Sequence, residues 1–137
     1  MKEPITIKTE INAPIEKVWD SWTTPKHIVH WNNASVDWFT PRAENNLIKW
    51  WRFLYRMEAI DGSSGFDFSW VYDDVKIDEF ISYRLDDGRK VTVRFIKEKG
   101  KVKLIETFDP EDINPIDVQR KGWQAILDNF KRYTESL

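Results

Sequence analysis

Between Leu47 and Phe108 large apolar residues fall on alternate positions, and turns at "IDGSSG", "DDG" and "KEKG" interrupt the alternation. Successive residues of a strand point to opposite faces, so the pattern describes hairpin-linked strands with one buried face. It predicts strands at 47–59, 65–73, 76–85, 89–97 and 101–108. "SVDWF" ahead of them reads as a further strand, ended by Pro41, and "ITIKTEI" (Ile5–Ile11) alternates in the same way. The expected sheet is antiparallel, and one apolar face of it needs a cover.

The C-terminal stretch "INPIDVQRKGWQAILDNFKRYTESL" supplies that cover. Ile116, Trp123, Ile126, Leu127 and Phe130 lie mostly on one helical stripe. Asn114 is the expected cap, with Pro115 first in the helix and Asp117 answering the capping amides. Gly122 inside this helix costs about 1 kcal/mol relative to alanine, which suggests a close approach to the sheet or to a ligand. Two short helices are expected after the first strand. "IEKVWDSW" puts Ile15, Val18, Trp19 and Trp22 at helical spacing. "TTPKHIVHW" is a second helix, capped by Thr24, with Ile28 and Trp31 turned inward. The order implies one α+β domain, residues 1–137, a length that supports a real core.

Composition narrows the function. A net charge of −2 offers no concentrated basic face for nucleic acid. The absence of cysteine rules out disulfides, thiolate nucleophiles and cysteine metal sites. The start lacks an apolar signal core and no run approaches membrane-spanning length, so a soluble cytoplasmic protein without membrane insertion is expected. His27 and His30 have no third ligand in a specific pattern, and read as solvated helix residues rather than a metal site. No cofactor is expected. Eight tryptophans are many for 137 residues, and imply either an aromatic cavity wall or an exposed aromatic patch.

Strand phase sorts the candidates. Trp51, Phe53, Tyr55, Met57 and Ala59 form one wholly apolar or aromatic set, while Trp50, Leu54 and Ile48 share the other face with charged residues. Phe68, Trp70 and Tyr72 continue the inner set, followed by Ile77, Ile81, Tyr83 and Leu85. Glu106 breaks the pattern, because it is in phase with Leu104 and Phe108. A carboxylate there must be paired or neutralised. Arg120, Lys121 or a tyrosine hydroxyl would be the structural partner. Otherwise Glu106 is the polar anchor of a ligand or a general base.

Several motifs resemble a known family. "APIEKVWDSWTTPKHIVHWNNAS", "YRMEAIDGSSGFDF", "ETFDPED" and "RKGWQAILDNFKRY" are similar to the activator of Hsp90 ATPase homologue 1-like family, within the START-like, Bet v 1-like helix-grip superfamily. The resemblance covers nearly the whole chain. It implies a curved antiparallel sheet wrapped around the long C-terminal helix, and a cavity between them that takes an apolar molecule. It carries no catalytic residue and no Hsp90 partner with it.

Departures from the family pattern bear on purpose. Related sequences resemble "DLRVGGKF" where this chain has "NLIKWWRF", so Trp50 and Trp51 stand at positions where glycine is usual, as does Trp70. Such changes suggest engineering. One expectation is a reshaped aromatic pocket of Phe39, Trp51, Phe53, Tyr55, Phe68, Trp70, Tyr72, Tyr83, Glu106 and Trp123. The other is an outer patch of Trp50, Leu54 and Ile48, serving a homodimer or a designed protein partner. A third reading, a weak or designed enzyme, would rest on Glu106 as general base.

Overall fold

The computed structural model describes residues 3–32, 38–44, 52–59, 65–85 and 87–137, with the backbone alone described for 38–44, 52–59 and 65–70. Ile48, Trp50 and Trp51 lie outside these residues. In chain order the elements are β1 (Ile5–Ile11), α1 (Ile15–Thr23), α2 (Pro25–Trp31), β2 (Trp38–Glu44), β3 (Arg52–Ala59), β4 (Gly65–Lys76), β5 (Phe80–Leu85), β6 (Lys90–Glu98), β7 (Lys101–Phe108) and α3 (Ile116–Ser136). The strands form one sheet in the order β1-β7-β6-β5-β4-β3-β2, antiparallel at every ladder.

Alternation does what the sequence implies. Val102, Leu104, Glu106 and Phe108 on β7 are buried, as are Val91, Val93 and Phe95 on β6. The register aligns them into rows across the sheet. One row runs Ile5, Phe108, Val91, Tyr83, Tyr72, and the next runs Ile7, Glu106, Val93, Ile81, Val75. The hairpin turns use Gly88 and Gly100 at φ +91° and +72°, a region where an L side chain is strained.

β4 and β2 both run well past their expected ends, each for a local reason. β4 continues to Lys76 rather than stopping at Asp73. The register shifts between Tyr72 and Asp74, so Asp73 is a bulge residue. Its carboxylate accepts hydrogen bonds from Arg84 Nε at 2.9 and 3.0 Å. The chain at Asp73 and Asp74 therefore bulges within one strand instead of breaking between two. The turn falls at 77–79, with Asp78 at φ 65°. Ile77, expected inward, is consequently 72% exposed. β2 likewise passes through Pro41 instead of ending there. β2 is an edge strand whose register shifts between Phe39 and Arg42, the setting in which a sheet tolerates proline.

The short helices close one end with an aromatic cluster. Trp22 stacks on Trp31 at 4.8 Å, and both meet Phe130 of α3 edge-on at 4.8 and 4.9 Å. Trp19 meets Phe95 at 5.0 Å. Trp31 is buried, and its Nε1–H donates to the Ser21 carbonyl at 2.8 Å. Thr24 precedes α2 as expected, but its hydroxyl donates to Asp20 Oδ1 and does not cap the helix.

α3 starts at Ile116 after Pro115, and Asn114 does not cap it. The loop before it is organised by Gln119 and Glu111 instead. Buried Gln119 donates from Nε2 to the carbonyls of Glu111 and Asn114 at 3.0 and 2.8 Å, and accepts from Glu111 N–H at 2.8 Å. The Glu111 carboxylate accepts the amides of Ile113 and Asn114 at 2.9 and 2.8 Å. Farther along, α3 lies beside β1. Arg120 Nη1 donates to Thr6 O at 3.1 Å, Gln124 Nε2 to Lys8 O at 3.4 Å and Lys131 Nζ to Glu10 O at 2.6 Å. Glu135 accepts the Asn12 amide at 2.8 Å.

Gly122 marks no close approach, because a Cβ built there meets nothing within 4 Å among the described residues. Its helix penalty is therefore uncompensated, and Gly122→Ala is expected to stabilise the domain by about 1 kcal/mol. A denaturant midpoint that rises at unchanged m-value would bear this out.

Candidate functional site

Glu106 sits mid-strand on β7, under the face that α3 covers, and is 5% exposed. Its cross-strand neighbours are Ile7 and Val93, both buried, and its same-face neighbours along β7 are Leu104 and Phe108, both fully buried. Phe108 stacks face to face on Trp123 of α3, with ring centroids 3.9 Å apart. Among the described residues no hydrogen bond or ion pair reaches the Glu106 carboxyl. Arg120, an expected partner, turns to the Thr6 carbonyl instead, and Lys121 is exposed. Burial alone pushes the Glu106 carboxyl up to about 8, because the charged form loses hydration that nothing replaces. Around neutral pH the group is predominantly the uncharged acid, a donor rather than a negative charge.

The other expected pocket residues separate into groups. Tyr72 and Tyr83 are buried cross-strand neighbours that meet edge-on at 6.2 Å. Trp123 is half-buried against the core. The backbone register pairs Phe53 with Trp70, Trp70 with Leu85, and Tyr55 with Phe68. These positions thus continue the ladder from Leu85 and Tyr83. Phe39 does not join them. It pairs with Glu58, in the phase of Leu54 and Arg56, while Trp38 pairs with Ala59 in the phase of Tyr55. The bulge at Pro41 sets this phase, and the sequence does not display it. Of the expected outer patch, Leu54 pairs with Ser69 and Glu44, and Trp50 and Ile48 lie outside the described residues.

His27 is not a solvated residue. Its Nδ1 lies 2.6 Å from the Tyr133 hydroxyl and its Nε2 lies 3.3 Å from Asp20 Oδ2. His30 stacks on the same Tyr133 ring at 5.5 Å. Burial, aided by the Asp20 charge, pushes the Tyr133 phenol above its usual value. The array ties α1, α2 and α3 together. The spacing from His27 to Tyr133 leaves no local signal in the sequence, so only the fold reveals it. Among the described residues, no group of three or more His, Asp or Glu is placed to hold a metal.

An open hollow of about 380 Å³ lies elsewhere, lined by Lys76, Glu79, Phe80, Arg94, Phe95 and Ile96. The Arg94 guanidinium sits 5.7 Å from the Phe80 ring centroid. None of the expected site residues lines this hollow.

Residues 12–135 match the family described as Activator of Hsp90 ATPase homolog 1-like protein. The chain belongs to that family. The solution structure of an AHSA1-like protein from Aeromonas hydrophila is similar at 43% identity and a TM-score of 0.92, with 98% of this chain and 93% of that one covered. A solution structure from Cytophaga hutchinsonii is 46% identical, with a TM-score of 0.84 over 96% and 92% of the two chains. The crystal structure of a Chromobacterium violaceum protein has a TM-score of 0.86 at 18% identity, covering 98% of this chain and 99% of that one, a likeness of fold alone. No match was found among curated proteins. Within this Activator of Hsp90 ATPase homolog 1-like chain, no described helix is long and apolar enough to cross a membrane.

Proposed function

We propose that this domain binds a small, mostly apolar or aromatic molecule between the concave sheet face and α3, and performs no reaction on it. One observation carries the reading. Glu106 is a buried carboxyl set among Ile7, Val93, Leu104 and Phe108, with no partner among the described residues. Such a group costs stability unless something bonds to it. A domain that keeps it there has a use for it other than stability. The aromatic surroundings, Trp123 on Phe108 and Tyr72 against Tyr83, suit a flat apolar ligand. Among the described residues no second acid, base or nucleophile is bonded to this carboxyl, and a lone carboxyl does not make a catalytic set.

An amide-resolved NMR titration with a mixture of small aromatic compounds tests this. Shifts are expected at Tyr83, Val93, Glu106, Phe108 and Trp123. Shifts confined to the exposed residues Ile77 and Ile113, or none at all, would sink the reading.

A further inference from the structure

Resting on that reading, we propose that the ligand is uncharged and presents a hydrogen-bond acceptor, such as a ketone or quinone carbonyl, to the Glu106 carboxyl. On β1 and β6 its direct neighbours are Ile7 and Val93, while Lys8 and Arg94 are exposed on the opposite phase, and Lys97, in the phase of Val93, is exposed at the far end of β6, where it pairs with Val102 two rows from Glu106. Glu10 pairs with Lys101 at 3.1 Å. On β5, Arg84 holds Asp73. On α3, Arg120 and Lys131 donate to β1 carbonyls, Asp128 accepts from Gln124 and Tyr133 meets His27. Asp117, Lys121 and Arg132 are exposed. Among the described residues, the buried titratable groups that share the inner face are the phenols of Tyr72 and Tyr83.

No cation of the described chain therefore compensates a carboxylate at Glu106, and the neutral acid offers one O–H to whatever enters. Each ligand class fares differently against such a group. An anion meets an apolar wall with no counter-charge. Binding an ammonium requires Glu106 to release its proton to solvent and buries two charges, at a desolvation cost that commonly exceeds the attraction. A plain hydrocarbon leaves the O–H unpaired. A carbonyl oxygen accepts it and leaves the rest of the ligand to the aromatic face.

A matched series sharing one ring system separates these classes: naphthalene, 1-acetylnaphthalene, 1-naphthylmethylammonium and 1-naphthoate. Affinities are read by quenching of tryptophan fluorescence and checked by calorimetry. The ketone is expected to bind about tenfold more tightly than naphthalene, the difference one hydrogen bond makes, and both ions more weakly than either. The preference for the ketone is expected to decline above pH of about 8, where the carboxyl loses its proton. Glu106→Gln, which keeps an N–H donor, retains the preference and removes its pH dependence. Glu106→Leu loses the preference and still binds naphthalene, with melting curves confirming that both variants fold.

Equal affinity for ketone and naphthalene in the unaltered protein would overturn the inference while leaving apolar binding standing. Tightest binding of the ammonium, rising with pH, would overturn it in favour of a cation site. Failure of all four compounds to bind would remove the reading on which it rests.

Discussion

Raising the pH from 5 to 8 is expected to destabilise the protein by several kcal/mol, and Glu106→Gln to abolish most of that loss. The sign follows from proton binding. The Glu106 carboxyl is pushed from 4.5 to about 8 in the folded state by burial, so between those values the folded protein holds a proton that the unfolded chain has released. Stability then falls as pH rises, by about 1.4 kcal/mol per unit inside the window, and is fully retained below the unfolded value. Stabilised carboxylates behave in the opposite sense. Glu135, held below its usual value by the Asn12 amide and by Lys131, contributes stability that is lost only as pH falls through its folded value, beneath the window of Glu106. Urea unfolding at pH 5, 6, 7 and 8 on both proteins isolates the difference. Parallel pH profiles for the two would show that Glu106 ionises in the folded protein at an ordinary value.

Phe130→Ala is expected to cost about 3–5 kcal/mol, enough to leave a domain of ordinary stability partly unfolded at 37 °C. Phe130 is fully buried and receives both Trp22 and Trp31 edge-on. Removing the ring strips three helices of their shared contact, and the indoles on either side are held by their own backbones. Trp31 in particular is fixed by its hydrogen bond to Ser21 O, so the cavity cannot collapse cheaply. A companion substitution, Phe130→Leu, keeps most of the volume and is expected to cost less than half as much. A loss below about 1 kcal/mol for the alanine variant would mean that the cluster repacks.

How much of this was readable beforehand differs by element. β1 and β7 match the expected Ile5–Ile11 and Lys101–Phe108 without adjustment, because strict alternation between one buried and one solvated face admits a single register. The inward position of Glu106 followed from the same phase. Its isolation did not, since the choice between Arg120 and no partner depends on where α3 lies relative to β1. Bulges were the other blind spot. The one at Asp73 moves the inner phase of β4 from Tyr72 to Val75, and the one near Pro41 puts Phe39 out of phase with Ala43, the partner of Tyr55. An extra residue in a ladder leaves the local pattern on either side intact, so periodicity cannot report it. His27 and Tyr133 lie 106 positions apart, and only tertiary packing joins them.

The polar side chains that α3 lays along β1 have a consequence for how copies of this protein meet. A strand at the border of a sheet exposes unpaired carbonyls and invites another chain to pair with it. Here Arg120, Gln124 and Lys131 already occupy the outward carbonyls of Thr6, Lys8 and Glu10. The opposite border, β2, carries a proline without an N–H and an interrupted register. Neither border is a ready template for strand exchange, so association between copies would have to proceed through side-chain surfaces rather than by extending the sheet.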